Sequence, residues 1–293
     1  MKILYDSQAF DMQTHGGVTR CFSELYQHMP KDVEARIAIV ETDNVYLRNM
    51  GYQAKGETFR KFMGGSTSKL KRFLYKIKYN AKYGKYASLD IMPNLNLYEL
   101  ERALSHGDFD VFHPTFFDDY FIPYIGKKPF VITVHDMIPE IYPQYKRNKN
   151  QRIQKQAIIP RASHIVAVSE HTKKDLMQIM NIPEEKISVV YHGADTAPYK
   201  PSPNRPFDFE YILFVGVRDL YKNFRYFCRD CMPILKRHPE LKVVCTGRPF
   251  TAEELYFMDA FGMKERFVQT FVQSDTDFLD LYHYALAFVF PSE

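Results

Sequence analysis

The chain is poor in cysteine and has no long apolar run, and each absence excludes a class of protein. Four cysteines in 293 residues are too few and too scattered for a disulfide framework. No window reaches the roughly 18 uncharged apolar residues that a membrane-spanning helix needs. The N-terminal sequence MKILYDSQAF lacks the apolar core and the cleavage site of a signal peptide. We therefore expect a cytoplasmic protein.

Motifs for metals and nucleic acids are also scarce. Cys228 and Cys231 form a C-x-x-C pair, but a zinc site needs about four ligands and the sequence has no second pair. No helix-turn-helix, RNP or zinc-finger pattern accompanies the basic residues. We expect no bound metal, no cofactor and no nucleic-acid partner.

The chain does contain a repeated alternation of short apolar runs and longer segments with helical spacing. This order predicts an α/β fold whose mostly parallel sheets are covered on both faces. The predicted strands are Lys2–Tyr5, Arg36–Val40, Val111–Phe112, Phe130–Val134, His164–Val168, Ile187–Tyr191, Tyr211–Val217, Leu241–Thr246, Phe267–Phe271 and Ala287–Phe290.

The segment Asp195–Phe209 interrupts this alternation, because it has four prolines and no periodicity, as is typical of a domain linker. We predict an N-terminal domain over residues 1–195, a linker over 196–209 and a C-terminal domain over 210–293. The carboxyl ends of the two sheets should line a cleft. The last domain stops at Glu293, directly after a strand-like run, and we expect it to be truncated.

A basic insert over residues 55–90 carries ten Lys and Arg residues against two acidic ones, which leaves a net charge of −4 on the rest of the chain. Within it, Leu70, Phe73, Leu74 and Ile77 recur at helical spacing. A basic amphipathic helix is typical of attachment to an anionic membrane surface. A solvated basic face on an ordinary core helix fits the pattern equally well.

The run YILFVGVRDLYKNF ends a predicted strand at Gly216 and continues with Arg218, Lys222 and a helix-like segment. Ligands bind at the carboxyl ends of strands in α/β sheets, and helix N-termini favour anions. Arg adds a planar fork that matches phosphate oxygens. We predict that Arg218 and Lys222 bind the diphosphate of a nucleotide.

Two hundred residues earlier, Gly16 and Gly17 open a predicted helix in GGVTR. A glycine pair allows backbone N–H groups to approach a phosphate without an intervening Cβ. We predict a second phosphate contact here, and a plain turn is the alternative.

Histidines follow two strands of the first predicted domain. His135 and Asp136 end Phe130–Val134 and are the candidate catalytic residues, since a histidine at this edge can bond a sugar hydroxyl or stabilise developing charge. The alternative is a packed histidine that Asp136 satisfies. His113, Thr115 and Asp118 are candidates for an acceptor pocket, with a structural turn as the alternative.

Two further residues are minor candidates. Ser169 follows the strand His164–Val168 and is most simply a helix N-cap, with ligand binding as the lesser possibility. His192 precedes Gly193 at the exit from the last strand of the first domain, where we expect it at the mouth of the cleft.

Taken in order, GGVTR, HPTFFDDY, PFVITVHDMIPEIYP, ASHIVAVSEHTKKDL, KISVVYHGAD, YILFVGVRDLYKN and FVFPS resemble glycosyltransferase family 4 over the whole chain. The resemblance implies the GT-B architecture of two Rossmann-like domains. It implies that Arg218 and Lys222 bind the donor diphosphate, that Gly16 and Gly17 close on the same phosphates, and that His135 lies beside the transferred sugar.

The family resemblance also implies a metal-independent transfer that retains the anomeric configuration, with the leaving phosphate accepting the acceptor's proton. The donor would be a UDP- or GDP-sugar, and the acceptor a polysaccharide or a lipid-linked oligosaccharide at the inner face of the membrane. By family spacing, Glu293 lies just before the first of two glutamates that bind sugar and ribose. A catalytically silent sugar- or membrane-binding fragment is therefore the alternative, and an epimerase of the same architecture is disfavoured.

Overall fold

In the computed structural model the chain forms two compact units, Met1–Gly193 and Ala194–Glu293. The structure describes residues 1–62, 69–84, 94–144, 149–194, 199–218, 220–272 and 274–292. Parts of the predicted basic insert (63–68 and 85–90), the start of the predicted linker and Glu293 lie outside these ranges.

The first unit is built on six short strands. They are β1 (Lys2–Tyr5), β2 (Glu34–Ile37), β3 (Val111–His113), β4 (Val131–Val134), β5 (His164–Ala167) and β6 (Ile187–Val189). β1 pairs in parallel with β2 and β3, and β5 pairs in parallel with β4 and β6. A parallel bridge from Phe112 to Phe130 joins the two groups into the order β2-β1-β3-β4-β5-β6.

This strand order fixes where a ligand can bind in the first unit. The chain leaves β1 towards β2 on one side and later returns to β3 on the other, so the order reverses between β1 and β3. In α/β sheets, the crevice at the carboxyl ends of two such strands is the usual ligand site. Tyr5 and His113 are paired at these carboxyl ends.

Helices connect these strands. They are α1 (Gln8–Met12), α2 (Gly17–Gln27), α3 (Val45–Asn49), α4 (Glu57–Phe62), α5 (Lys69–Tyr83), α6 (Leu95–His106), α7 (Ile122–Ile125), α8 (Ile138–Ile141), α9 (Lys149–Ile158) and α10 (Glu170–Met180). Local signals set their ends: Asn94 caps the start of α6, and Gly107 ends it with a left-handed φ of 71°. None of the helices in the described ranges is long and apolar enough to cross a membrane.

The core of the first unit follows from strands that are covered on both faces. Ile132, Val134, Ile165 and Ala167 are completely buried, although they come from only two four-residue strands. Residues two apart in a strand lie on one face, and Thr133, on the other face of β4, is also buried at 7% exposure, as central parallel strands require. The short apolar runs are the reason that the sequence predicts these strands.

The second unit contains β7 (Tyr211–Phe214), β8 (Lys242–Thr246), β9 (Phe267–Thr270) and β10 (Ala287–Phe288), all parallel in the order β10-β7-β8-β9. Its helices are α11 (Phe224–Arg237), α12 (Ala252–Ala260) and α13 (Asp275–His283). Here the strand order reverses at β7. Residues 199–209 of the predicted linker pack on this unit, since Ser202 N donates to Asp280 Oδ1 at 3.0 Å and Phe207 lies against Tyr211.

The mixed α/β class and the parallel strands agree with the sequence prediction, with shifts of one to three residues at strand ends. The predicted strand Tyr211–Val217 ends early, at Phe214, because Gly216 adopts a φ of +110° that cannot continue a strand. The predicted strand Arg36–Val40 begins two residues earlier and ends at Ile37, where Ile39 N turns back to Ile37 O.

Candidate active site

Asp6, directly after β1, organises the carboxyl edge of the first sheet. Its side chain is completely buried and accepts hydrogen bonds from Thr115 N at 2.8 Å, Thr115 Oγ1 at 2.6 Å and Gln8 Nε2 at 2.7 Å. Tyr120 Oη donates at 3.2 Å to Oδ2 of Asp6, the oxygen that Gln8 Nε2 also contacts. Burial raises the pKa of Asp6 to about 6, although these hydrogen bonds oppose the shift. Asp6 therefore ties the ends of β1 and β3 together at the ligand crevice.

Asp6 is not among the site residues predicted from the sequence. The signal was present, because Asp6 follows a buried strand at its carboxyl end, as His135 does. Its partner Thr115 was identified, but as an acceptor candidate. Thr115 is buried and its hydroxyl is bonded to Asp6 and to Ala9 N, which favours the structural-turn alternative. Asp118 is exposed, and its backbone exchanges two hydrogen bonds with the Gln8 side chain.

Three of the predicted histidine positions come together in the first unit. The His135 ring stacks on His192 with 5.5 Å between centroids and an interplanar angle of 16°. The Phe22 ring from α2 packs edge-on against His135 at 6.3 Å and against His113 at 5.3 Å. His113 Nε2 lies 2.9 Å from Thr133 Oγ1 on the neighbouring strand.

The electrostatics of this cluster favour neutral imidazoles. Burial lowers the pKa of His113 to about 4, and proximity to His135 adds to the shift. Burial also lowers the pKa of His135 to about 4, and His192 contributes to this shift. At neutral pH both rings can donate or accept a hydrogen bond without carrying charge. His135 Nε2 is buried and has no hydrogen-bond partner among the residues that the structure describes.

Asp136 does not satisfy this nitrogen. Asp136 Oδ1 accepts from Ile138 N at 3.0 Å, which begins α8, and it also faces Lys155 Nζ at 3.4 Å. The alternative of a histidine that Asp136 satisfies therefore lacks support at Nε2. His135 and Asp136 both follow β4, but their side chains lie in different environments.

The glycine pair starts α2. Gly16 is the N-cap residue, Gly17 is the first helical residue, and no side chain caps this end within the described part of the chain. A Cβ at Gly17 would meet nothing within 4 Å, whereas one at Gly16 would press on the flexible Gln13 side chain. The first N–H groups of a helix have no intrahelical acceptor, so this end of α2 offers donors to an anion.

Ser169 is the N-cap of α10, as the sequence predicts most simply. Its Oγ accepts a hydrogen bond from Thr172 N at 3.1 Å and lies 3.0 Å from Thr172 Oγ1. Capping accounts for this serine without a ligand.

In the second unit, Arg218 is held inside the protein. Its side chain is fully buried and pairs with Glu254 Oε1 at 3.0 Å from Nε. Its Nη2 donates to the carbonyl oxygens of Arg248 at 2.6 Å and Pro249 at 2.9 Å, and the Phe250 ring lies 4.7 Å from the guanidinium carbon. Arg218 thus joins the end of β7 to the end of β8 and the start of α12.

Lys222 lies on the other side of β7. Its Nζ is 4.2 Å from the centroid of the Phe290 ring, just after β10. The next residue, Asn223, has a left-handed φ of 53° and donates from Nδ2 to Pro291 O at 3.0 Å. Lys222 and Asn223 therefore mark the point where the strand order of the second sheet reverses. The two predicted diphosphate cations contact opposite neighbours of β7, and their role in donor binding stays a prediction.

Two units with parallel sheets, each with its candidate residues at the carboxyl edge, define a mixed α/β protein of the GT-B fold. Solved structures agree. The lipopolysaccharide outer core galactosyltransferase WaaB in its apo form is 17% identical with a TM-score of 0.51, over 100% of this chain and 74% of that one. A mutant of S. aureus TarM in complex with Fondaparinux, alpha-GlcNAc-glycerol and UDP is 9% identical with a TM-score of 0.55, over 93% and 77% of the two chains.

The sequence itself assigns the family. Residues 15–198 match the model of Glycosyltransferase Family 4, and the chain belongs to that family. The O-antigen chain mannosyltransferase RfbU of Salmonella typhimurium is 25% identical over 162 residues. That match spans 55% of this chain and 45% of the relative. The predicted family and fold are therefore confirmed.

Proposed function

We propose that the chain is the catalytic part of a retaining, metal-independent glycosyltransferase. It moves a hexose from a nucleotide diphosphate to a polysaccharide or a lipid-linked oligosaccharide. Family 4 membership supports the reaction class. The named mannosyl and galactosyl transferases of O-antigen and lipopolysaccharide support a hexose and a surface-polysaccharide acceptor. The TarM complex contains UDP, and we propose a UDP- or GDP-linked donor.

The observation that carries this proposal is the neutral His135, whose ring packs against Phe22 of α2, the helix that begins at the glycine pair without a side-chain cap in the described chain. Glycosyl transfer develops positive charge on the sugar and negative charge on the leaving diphosphate. A neutral imidazole can bond a sugar hydroxyl without repelling the positive sugar, and Nε2 of His135 has no competing partner in the described chain. The open N–H groups at Gly17 suit the diphosphate.

In the second unit, Lys222 is the more accessible of the two proposed diphosphate ligands. It is half-buried at the edge where the strand order reverses, while the Arg218 guanidinium is enclosed by Glu254 and backbone carbonyls. Arg218 would have to exchange one of these partners to contact a phosphate oxygen. We propose that the leaving phosphate takes the acceptor's proton, so no separate base is assigned.

The test is a transfer assay with UDP- and GDP-hexoses and a lipid-linked acceptor, together with nucleotide titration by calorimetry. Lys222→Ala should lower kcat/KM at least about tenfold, because it removes one charge-assisted hydrogen bond. Gly17→Ala keeps the backbone N–H but places a Cβ where the phosphate would approach, and it should lower kcat/KM by a similar factor. The matched control is Gly84→Ala, where a Cβ also meets nothing within 4 Å. Equal rates in the wild type and both site variants would contradict the assignment.

We further propose that α5 attaches the protein to an anionic membrane surface. Its apolar stripe faces solvent: Leu70 is 68% exposed, Phe73 62%, Leu74 49% and Ile77 50%. Tyr79, by contrast, is 1% exposed and anchors the helix to the unit. The alternative was an ordinary core helix with a solvated basic face. Such a helix would bury its apolar stripe, which these exposures do not fit. Lysines along the same helix add attraction to anionic lipid.

Co-sedimentation with vesicles of anionic and of neutral lipid tests the attachment. Phe73→Ser should abolish binding to anionic vesicles, because it removes the largest exposed apolar group of the stripe. Tyr256→Ser on α12, where Tyr256 is 77% exposed, is the matched control and should bind as the wild type does. Vesicle binding without affinity for any nucleotide sugar would favour the silent membrane-binding fragment over the transferase.

A further inference from the structure

Lys155 is a lysine whose side chain is completely buried, and it lies behind the candidate active site. It sits on α9 with a side-chain exposure of 1%. Its Nζ lies 2.6 Å from the Asp136 carbonyl oxygen, 3.4 Å from Asp136 Oδ1 and 3.4 Å from Glu140 Oε2. The Phe117 ring lies 5.1 Å from the same nitrogen. A lysine is rarely buried so fully, and where it is, its partners account for it.

All three acceptors of Lys155 come from one short segment, residues 136–140, which follows β4. The shortest contact is to the carbonyl of Asp136, the residue directly after His135. That carbonyl belongs to the peptide group between Asp136 and Met137, so the amino group holds the backbone one residue after the histidine. Glu140 is also buried, at 2% side-chain exposure, and its second oxygen has no partner within the described residues.

The direction of the His135 ring is not fixed by a hydrogen bond at Nε2, which has no partner in the part of the chain that the structure describes. Its recorded neighbours are the rings of Phe22 at 6.3 Å and His192 at 5.5 Å, and neither contact is a hydrogen bond. Ring contacts of this kind permit sliding, whereas a hydrogen bond at 2.6 Å fixes a backbone group. The orientation of His135 then depends chiefly on the course of the backbone around it, and Lys155 holds that backbone at the next residue, through the Asp136 carbonyl.

We propose that Lys155 is a positioning residue for His135, acting through the Asp136 carbonyl, and that it does more than neutralise Glu140. The inference rests on the proposed function for its kinetic consequence. Its structural content, the orientation of the His135 ring, does not depend on that function. If the lysine served only to neutralise Glu140, removing both charges together should leave kcat and the His135 ring unchanged.

Two variants separate these roles. Lys155→Met removes the amino group and leaves Glu140 buried without a cation, so it should unfold at lower urea concentration. Lys155→Met combined with Glu140→Leu removes both charges, and such apolar replacement of a buried pair is often neutral in stability. If Lys155 positions His135, the double variant should regain the urea midpoint but keep a loss of at least tenfold in kcat, with donor KM within threefold of the wild type.

Nuclear magnetic resonance of the His135 ring protons gives the second readout. Stacking on His192 and Phe22 should shift these resonances in the wild type, and the double variant should move them towards the values of a free histidine. Lys128→Met is the matched control, since Lys128 Nζ also donates to a carbonyl, Phe109 O at 2.5 Å, and lies 5.3 Å from the Phe109 ring centroid. Its His135 resonances and kcat should equal those of the wild type.

The outcomes are distinguishable. A stable double variant with wild-type kcat and unchanged His135 resonances would overturn the positioning role. If the wild type shows no transfer at all, the proposed function is refuted. Unchanged His135 resonances in the double variant would then overturn the positioning role as well. Shifted resonances in an inactive protein would support the positioning of His135 and remove only its proposed use.

Discussion

The two units place opposite charges at equivalent points of their sheets. In the first unit an acid, Asp6, follows the strand at which the strand order reverses. In the second unit a base, Arg218, follows such a strand. Both side chains are buried and both join that strand to a neighbouring one, through Thr115 in one case and through the Arg248 carbonyl in the other.

The groups that offset the cost of burying these two charges differ between the units. The hydrogen-bond donors around Asp6 are neutral, so burial dominates and raises the pKa of Asp6 to about 6. Arg218 instead has a carboxylate partner: burial alone would raise the pKa of Glu254, but its hydrogen bonds from Thr251, Arg218 and Arg248 more than offset burial and lower it. At pH 7 the Asp6 carboxyl, with its pKa of about 6, is still mostly ionised, so the first site combines a buried negative charge with the neutral imidazoles of His113 and His135, whereas the second keeps a surplus of cation. Under the proposed function, the developing positive charge of the sugar would be stabilised in the first site and the diphosphate in the second.

The largest effect expected from this comparison is that of removing Arg218. Arg218→Met leaves Glu254 buried with only the part-exposed Arg248, and breaking a buried ion pair from one side costs roughly 3–5 kcal/mol. Urea unfolding, followed by a probe in the second unit, measures the loss. The control is Arg225→Met, which removes the exposed pair with Glu253 and should leave the midpoint unchanged.

A different result for Arg218→Met would change the comparison. If the variant is as stable as the wild type but no longer binds nucleotide, the guanidinium serves a ligand and the Glu254 contact is secondary. If both stability and nucleotide binding survive, neither the structural nor the predicted role is correct.

The sequence predicts the strands well and the charge partners poorly, for one physical reason. Runs such as Tyr211–Phe214 and Val131–Val134 carry their own burial signal, so their positions follow from local pattern. The partners of Arg218 and Asp6 lie 36 and 109 residues away, in Glu254 and Thr115. No local pattern specifies which distant residue the fold brings next to a buried charge.

The same limit applies to the candidate histidines. Their place at strand ends follows from the sequence, because the carboxyl ends of parallel strands share one edge. The lowered pKa values of His113 and His135 follow from burial and from the neighbouring histidines, which only the packed structure shows. Lys155 gave no signal at all, since a lysine on a polar helix is indistinguishable from a solvent-exposed one until the helix is docked.

The next largest expected effect is a change of folding stability with pH, caused by buried groups of the first unit. The folded-state pKa of His113 is about 4, against about 6.5 in an unfolded chain. Between these values the unfolded chain binds a proton that the folded chain does not, so stability is lost as pH falls from 6.5 towards 4. Urea unfolding at pH 7 and pH 4.5 should show that His113→Gln loses roughly 2 kcal/mol less than the wild type on acidification.

Asp6 should act in the opposite direction in the same pH range. Its folded-state pKa of about 6 lies above the unfolded value, so the folded chain binds the extra proton and this group adds stability as pH falls through 6 towards 4. Asp6→Asn should therefore lose roughly 2 kcal/mol more than the wild type between pH 7 and pH 4.5. Equal pH slopes in the wild type and both variants would show that the first site is not the desolvated environment described above.

The smallest effect separates capping from ligand binding at the edge of the first sheet. Ser169→Ala removes the hydrogen bond to Thr172 N and should cost about 1 kcal/mol of unfolding free energy, the usual loss for an N-cap. Ser163→Ala, at an exposed position that caps no helix, is the control and should change nothing. Because capping accounts for Ser169, transfer by the folded variant should remain within twofold of the wild type. A tenfold loss of transfer at unchanged stability would instead place Ser169 among the ligand contacts and extend the first site towards β5.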